Sequence, residues 1–435
     1  MAAQLISNAY QAIVGDKPTA TTNEFKERPD GATMQALVYR GNQNVNMESV
    51  PRPSITEPKD AIIRVTGTTV CGSDLHLYHS EIMQQQSGDI LGHEFCGVVD
   101  EVGPACGLKI GQRVVASFQI ACGECEYCQK GLSSMCDVTN NSKVMESLYG
   151  HRFAGLFGYS HFAGGFAGGQ AEYVRIPFAD TNLLPLPDDV PDEKGLFLSD
   201  ILSTSYHACW RAKIEQGDVV GVWGCGPIGL LCIHWSKLMG ASRVIAIDNV
   251  PDRLERAKRL GAETINFDEK DTVEALQELA PGGIHRAIDC AAFRYAKTLL
   301  HKVERAVGLE TDQSEIVNEC IKTVRKFGTI VLIADYAGYC NHFNIGAVME
   351  KGIRLVGGGQ APVQMHWKKI LHEFIQTGKL DPAFDVVVSH RFQIEDIPKI
   401  YHYFDRKEKD IMKTFVQTKF SQPPAPGFPT LSSLE

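Results

Sequence analysis

Four cysteines, Cys122, Cys125, Cys128 and Cys136, stand at the spacing C-x2-C-x2-C-x7-C. Thiolates this close along a chain can wrap one loop around a tetrahedral Zn2+. Four thiolates leave no open coordination position, so such a site is structural and the reactive chemistry has to come from elsewhere. A second set supplies it. Cys71-Gly72-Ser73-Asp74-Leu75-His76 and Gly92-His93-Glu94 offer a thiol and an imidazole from separate segments. A catalytic zinc keeps three protein ligands and one open position, and spacing alone does not identify the third.

The hexapeptide Gly224-Cys225-Gly226-Pro227-Ile228-Gly229 has the form G-x-G-x-x-G. It follows an apolar strand, opens a helix, and is followed nineteen residues after Gly229 by Asp248 at the end of the next strand. In that context it is a dinucleotide fingerprint. Gly224 permits the tight turn, Gly226 lets a pyrophosphate approach the helix N-terminus, and Gly229 lets helix and strand meet closely. Asp248 accepts from ribose hydroxyls and repels a 2′-phosphate, which favours NAD(H) over NADP(H). Arg253, five residues on, is a further ribose contact.

These residues need two kinds of scaffold. From Gln35 the text reads as short strands with turn punctuation (ALVYRG, DAIIRVTGTTV, GHEFCGVVDEVG, GQRVVAS), an all-β pattern. From about Ser203 it changes to strand–helix alternation: strands at 218–223, 243–248, 264–266, 284–289 and 329–334, helices at 227–239 and 251–260. That is a doubly wound parallel sheet, so the fold class is α/β with a separate β-rich domain. The expected division is 1–34 an extension, 35–202 and 360–420 the β-rich domain, 203–359 the nucleotide domain and 421–435 a disordered tail. Residues 145–169, rich in glycine and aromatics, read as a pocket wall, a lid or a surface loop.

Composition narrows the partners. Among 435 residues, 43 basic against 52 acidic give a formal net charge of -9, which offers no basic surface to nucleic acid. Thirteen cysteines, several of them in apolar stretches, fit reduced thiols in a cytoplasmic protein better than a disulfide framework. The N-terminus carries no secretory signal, and the longest apolar run, 219–233, is broken by glycines and a proline and is shorter than the ~20 residues of a spanning helix. A soluble protein without membrane contact is expected.

Taken in order, CGSDLH, GHEFCGVV, CGECEYCQKGLSSMC, LSDILSTSYHA at 198–208 and the glycine loop resemble the medium-chain zinc-dependent alcohol dehydrogenases from about Gln35 to Thr418. The resemblance implies a GroES-like catalytic domain beside a Rossmann NAD domain, a homodimer or homotetramer, and two zinc ions per chain. It implies Cys71, His93 and Asp200 as ligands of the catalytic zinc and Cys122, Cys125, Cys128 and Cys136 as ligands of the structural one. Asp200 stands where the family often has Cys; Cys209 is the nearby thiol, displaced from the motif. LSDIL and Gly72, the latter at a position basic in some members, resemble the branch of glutathione-independent formaldehyde dehydrogenases and aldehyde dismutases.

The same resemblance gives Glu94 the place of a carboxylate beside the metal and Asp74 that of the group orienting His93. Ser73 stands beside the substrate oxygen, and His76 passes the proton to solvent. Lys413 is assigned, by position, a share of the positive charge near the pyrophosphate. The implied reaction is hydride transfer between an alcohol or hydrated aldehyde and NAD. Alternatives are an aldehyde dismutase that retains NAD, for which the insertion at 291–318 is a cover, and a polyol or amino-alcohol dehydrogenase. From a different class, the alternative is a non-catalytic NAD-binding module.

Overall fold

The computed structural model describes residues 2–291, 311–336 and 338–434. Most of the insertion at 291–318 lies outside the described residues. The chain forms two compact units: one made of 1–203, 362–379 and 388–435, the other of 204–361 and 380–387. Leu380–Val387, inside the stretch assigned from sequence to the β-rich domain, thus belongs to the second unit.

The first unit is built on a seven-stranded sheet. Its order is Val388–Gln393, Lys413–Gln417, Ala61–Thr68, Phe95–Val102, Arg113–Ala116 and Leu183–Pro185, with Tyr173–Ile176 also paired to Ala61–Thr68. All these pairs are antiparallel except Val388–Gln393 with Lys413–Gln417. The alternating apolar residues of these short strands face inward, so Ile63, Val65, Phe95, Val99, Val114, Val174 and Ile176 form one core with Phe157 and Phe166. This rigid sheet carries Cys71 just beyond the end of Ala61–Thr68 and His93 just before Phe95–Val102. The two strands pair antiparallel, Thr68 opposite Phe95, so both donors arrive at the same end of the sheet.

The second unit contains a six-stranded parallel sheet in the order Glu263–Asn266, Arg243–Asp248, Val219–Trp223, Ile284–Asp289, Val324–Leu332, Arg354–Gly357. Numbered along this unit, that order is 3-2-1-4-5-6, the doubly wound nucleotide-binding arrangement. Ligands in such sheets bind at the carboxyl ends of strands where the order reverses, here between the first and fourth, and Gly224 follows directly on the first.

The structure adds detail to three of these expectations. Residues 1–34 contain a helix, Ala2–Val14, fixed to the first unit by Tyr10 Oη against Ser147 Oγ at 2.7 Å and by Lys143 Nζ donating to the Val14 carbonyl. Residues 145–169 are neither lid nor surface loop: Phe157 is fully buried and meets Phe95 edge-on at 5.3 Å, filling the core. The stretch 421–435 is not disordered over its described part. Arg391 is 1 % exposed and needs acceptors, and the tail brings them: Arg391 donates to the Gln422 carbonyl at 2.6 Å, while its own carbonyl accepts from the Ser432 N–H at 2.7 Å.

The guanidinium also pairs with buried Glu193 at 2.6 Å, and Glu193 accepts from the Ala425 N–H at 3.1 Å. Removing one partner of such a pair leaves a buried charge unpaired, at a cost of about 3–5 kcal/mol. We predict that Arg391→Ala loses stability of about that size in urea unfolding. It should also expose the chain beyond Thr418 to limited proteolysis, which the intact protein is expected to resist.

Candidate metal centres and nucleotide loop

The four-cysteine loop folds as a unit. Cys125 caps the short helix Glu126–Gln129, and Cys136 follows the helical turn Ser133–Met135. The loop is pinned at its root by Asn182, whose side chain accepts from the Ala121 N–H at 2.8 Å and donates to the Ala121 carbonyl at 2.9 Å. The sulfurs of Cys122 and Cys128, and of Cys125 and Cys136, lie 3.9 Å apart. Tetrahedral zinc with Zn–S bonds of about 2.3 Å places its sulfurs about 3.8 Å apart. Backbone N–H groups of Glu124 and Cys125 point at Cys122 Sγ at 3.3 and 3.2 Å, and that of Cys122 points at Cys136 Sγ at 3.4 Å. Hydrogen bonds from Cys128 and Cys136 push the Cys122 thiol down, and the contacts with Cys122 push Cys128 up and Cys136 up to about 11. Such crowding favours a thiolate beside thiols and gives way to a cation that suits all four.

The second cluster gathers Cys71, His93, Glu94 and Asp200, whose ligand atoms all lie within 4.8 Å of one another. His93 Nε2 is 3.6 Å from Asp200 Oδ2 and 3.7 Å from Glu94 Oε1. Behind it Asp74, 1 % exposed, takes His93 Nδ1 at 3.0 Å on one oxygen. Its other oxygen accepts from the Cys71 N–H at 2.8 Å and from Gln170 Nε2 at 3.3 Å. One carboxylate therefore aims both the thiol-bearing residue and the imidazole. Burial pushes the His93 pKa down, but the Asp74 charge and the contacts with Asp200, Asp74 and Cys71 outweigh it, and the net shift is well upward. The metal-free cluster thus favours imidazolium where a cation would take its place. Burial raises the Glu94 pKa, and Glu94 Oε2 is buried with no hydrogen-bond partner. A thiol, an imidazole and two carboxylates, one oxygen of them orphaned, suit Zn2+.

Lys413, assigned from sequence a share of the charge near the pyrophosphate, has a partner beside the metal cluster. It is 1 % exposed, and its Nζ donates to Glu94 Oε1 at 2.5 Å. Burial pulls its pKa down, but Cys71 and Glu94 more than reverse this, so it stays charged. The sequence signal was available: a lysine inside the apolar run Ile411-Met412-Lys413-Thr414-Phe415-Val416 has to find a buried anion. Cys209 takes no part in the cluster; it is buried and faces the Cys232 carbonyl at 3.5 Å.

Spacing gave no hint of four other residues. Gln170 is held by the Tyr401 hydroxyl at 2.9 Å, and the rings of Phe118 and Tyr159 stand edge-on to His93 at 6.2 and 6.1 Å. Ser73 and His76 lie one turn apart on the helix Gly72–Tyr78, where i and i+3 share a face. Ser73 Oγ is 3.9 Å from Cys71 Sγ. His76, expected to reach solvent, is 4 % exposed.

In the second unit Gly224 has φ of +86° at the end of Val219–Trp223, a turn other residues rarely adopt. A Cβ on Gly226 would meet nothing within 4 Å, so its face is open, while one on Gly229 would collide with the Gly224 carbonyl oxygen. Gly226 caps the helix Pro227–Leu238, with Pro227 in its first turn and Ile228 following. Asp248 accepts the N–H groups of Cys225 at 2.7 Å, Asn249 at 2.7 Å and Val250 at 2.9 Å. It ties the glycine loop to the neighbouring strand end and leaves a fixed negative charge there. Arg253 lies in the first turn of the helix Pro251–Arg259, half-buried.

All thirteen cysteines are free. No described helix is long and apolar enough to cross a membrane.

Comparison with known proteins agrees with this geometry. Residues 57–188 match the alcohol dehydrogenase GroES-like domain, and residues 227–307 match the zinc-binding dehydrogenase domain. A zinc-type alcohol dehydrogenase-like protein of Schizosaccharomyces pombe is 43% identical over 394 residues, covering 90% of this chain and 92% of that one. A glutathione-independent formaldehyde dehydrogenase of Pseudomonas aeruginosa is 30% identical over 397 residues, 85% of this chain and 94% of that protein. The solved structure of an alcohol dehydrogenase from Thermus sp. ATN1 aligns with a TM-score of 0.74 at 32% identity, over 89% of this chain and 100% of that one. The chain therefore belongs to the medium-chain zinc-dependent alcohol dehydrogenase family and is an oxidoreductase of that zinc- and nicotinamide-dependent type.

Proposed function

We propose that this enzyme oxidises a small alcohol or hydrated aldehyde with NAD, using one catalytic and one structural zinc per chain. The observation that carries the reading is the convergence of Cys71, His93, Glu94 and Asp200 ligand atoms within 4.8 Å of one another, in a chain that also carries a dinucleotide loop. Cys71, His93 and Asp200 hold the catalytic ion; Cys122, Cys125, Cys128 and Cys136 hold the structural one. Bound, these cofactors supply Lewis acidity toward the substrate oxygen and an acceptor for hydride.

The remaining work falls to the chain. Asp74 keeps His93 in one ring orientation, so that Nε2 is the ligating nitrogen. Lys413 neutralises Glu94 and spares the site a second uncompensated carboxylate. The rings of Phe118 and Tyr159 stand edge-on to His93 and would line the approach to a bound ion with apolar surface. Ser73 positions the substrate hydroxyl and His76 takes the proton onward. Asp248 selects NAD(H), because a 2′-phosphate would meet its fixed charge.

The relatives named above match nearly along their whole length, and the formaldehyde dehydrogenase among them favours small substrates for this chain as well. The balance of 43 basic and 52 acidic residues speaks against a nucleic-acid partner, and thirteen free thiols fit the reducing cytoplasm. The family resemblance supports a homodimer or homotetramer.

The purified enzyme should contain about two zinc ions per chain and form NADH from NAD and a short alcohol or aldehyde. Asp200→Ala should lower the content to about one and abolish turnover. Unchanged zinc and activity in that variant would remove Asp200 from the ligand set. Zinc uptake by metal-free protein must displace the His93 proton, so affinity should fall as pH falls and protons should appear in a weakly buffered titration. Asp248→Asn should raise the NADP-to-NAD ratio of kcat/KM by about tenfold or more, an effect of about 1.4 kcal/mol.

A further inference from the structure

His76 is given the task of carrying a proton away, yet its side chain is 5% exposed. A proton that reaches a buried imidazole leaves through a hydrogen bond. Its Nδ1 lies 2.8 Å from Glu81 Oε2. The contact is built into the turn that ends the helix Gly72–Tyr78: Ser80 adopts φ of +55°, and the Glu81 N–H donates to the His76 carbonyl at 2.8 Å. Backbone and side chain of Glu81 are thus both tied to His76. The Glu81 side chain is 36% exposed, so its carboxylate reaches from the buried ring to water. The neighbouring His79 is handled differently, its Nε2 facing Asp405 at 2.7 Å.

We propose that Glu81 is a positioning residue for the dehydrogenase reaction, one that fixes His76 as the Nδ1–H tautomer and opens its route to solvent. An imidazole whose Nδ1–H is held by a carboxylate presents a lone pair on Nε2. When a proton bonds to Nε2, the Nδ1–H bond breaks and that proton moves to Glu81 Oε2. The carboxylic acid then gives it to water, the ring is left neutral as the Nε2–H tautomer, proton exchange with water restores Nδ1–H before the next turnover, and no electrons change hands. The carboxylate also offsets the charge of the transient imidazolium in the dry interior. The inference rests on the reading of His76 as the relay in the proposed function.

The test uses zinc-loaded enzyme with 15N-labelled histidine, the His76 signals being assigned by comparison with His76→Gln. Wild type should show Nδ1 protonated and Nε2 as the bare nitrogen, and Glu81→Gln should shift the tautomer balance. In alcohol oxidation Glu81→Gln should lose about tenfold or more in kcat at unchanged zinc content and NAD affinity, with partial recovery on adding acetate. An Nε2–H tautomer in the wild type, or an undiminished kcat in Glu81→Gln, would overturn the proposal. Wild-type protein with full zinc that oxidises no alcohol or aldehyde would instead overturn the proposed function. The tautomer measurement would still decide the role of Glu81 toward His76.

Discussion

The carboxylate of Asp74 is the interaction around which the reactive site is arranged. A charge this deeply buried is costly unless every oxygen is engaged. Asp74 meets that condition with His93 Nδ1, the Cys71 N–H and Gln170 Nε2, and Gln170 is in turn held by Tyr401. The orientation of a thiol and an imidazole from two strands is thereby made a requirement of satisfying one anion. On the other side of His93, Glu94 and Lys413 form a second buried pair, which engages one Glu94 oxygen and leaves the other without a hydrogen bond. Ligand geometry is set by these partners before any metal arrives.

The glycine loop follows from a shorter-range logic. Gly224, Gly226 and Gly229 sit on one strand–turn–helix, and Asp248 binds the loop through the adjacent parallel strand. Everything it needs lies within one contiguous stretch, which is why the strand at 243–248, the strand at 284–289 and the helix start at Pro227 could be read off the chain to within a residue or so. Periodicity and turn residues report such local order directly.

What the sequence concealed depends on distant partners. Gln170 and Tyr401 are 231 positions apart, and Glu94 and Lys413 are 319 apart. No spacing rule connects them, so the pairing of Lys413 with Glu94 could not be read from the chain. Asp200 entered through family resemblance, because a lone carboxylate before a helix looks like any cap. The tail was read as disordered from its prolines and serines, whereas the buried Arg391 decides its course. Residues 145–169 misled for the opposite reason: glycine content suggested a loop, but Phe157 and Phe166 are core residues and the glycines allow close approach of neighbouring backbone.

The division of the chain also sets an order on its synthesis. The second unit is drawn from 204–361 and 380–387, so its sheet is complete in the nascent chain while the first unit still lacks Val388–Gln393 and Lys413–Gln417. Until those strands emerge, Glu94 has no lysine and Glu193 no arginine, and the end of Ala61–Thr68 at Gly67 and Thr68 lacks the strand that pairs with it. Domains fold as units as they leave the ribosome, and an exposed edge is the part most prone to wrong pairing. The first unit is therefore the later of the two to be completed and the one more dependent on protection during translation.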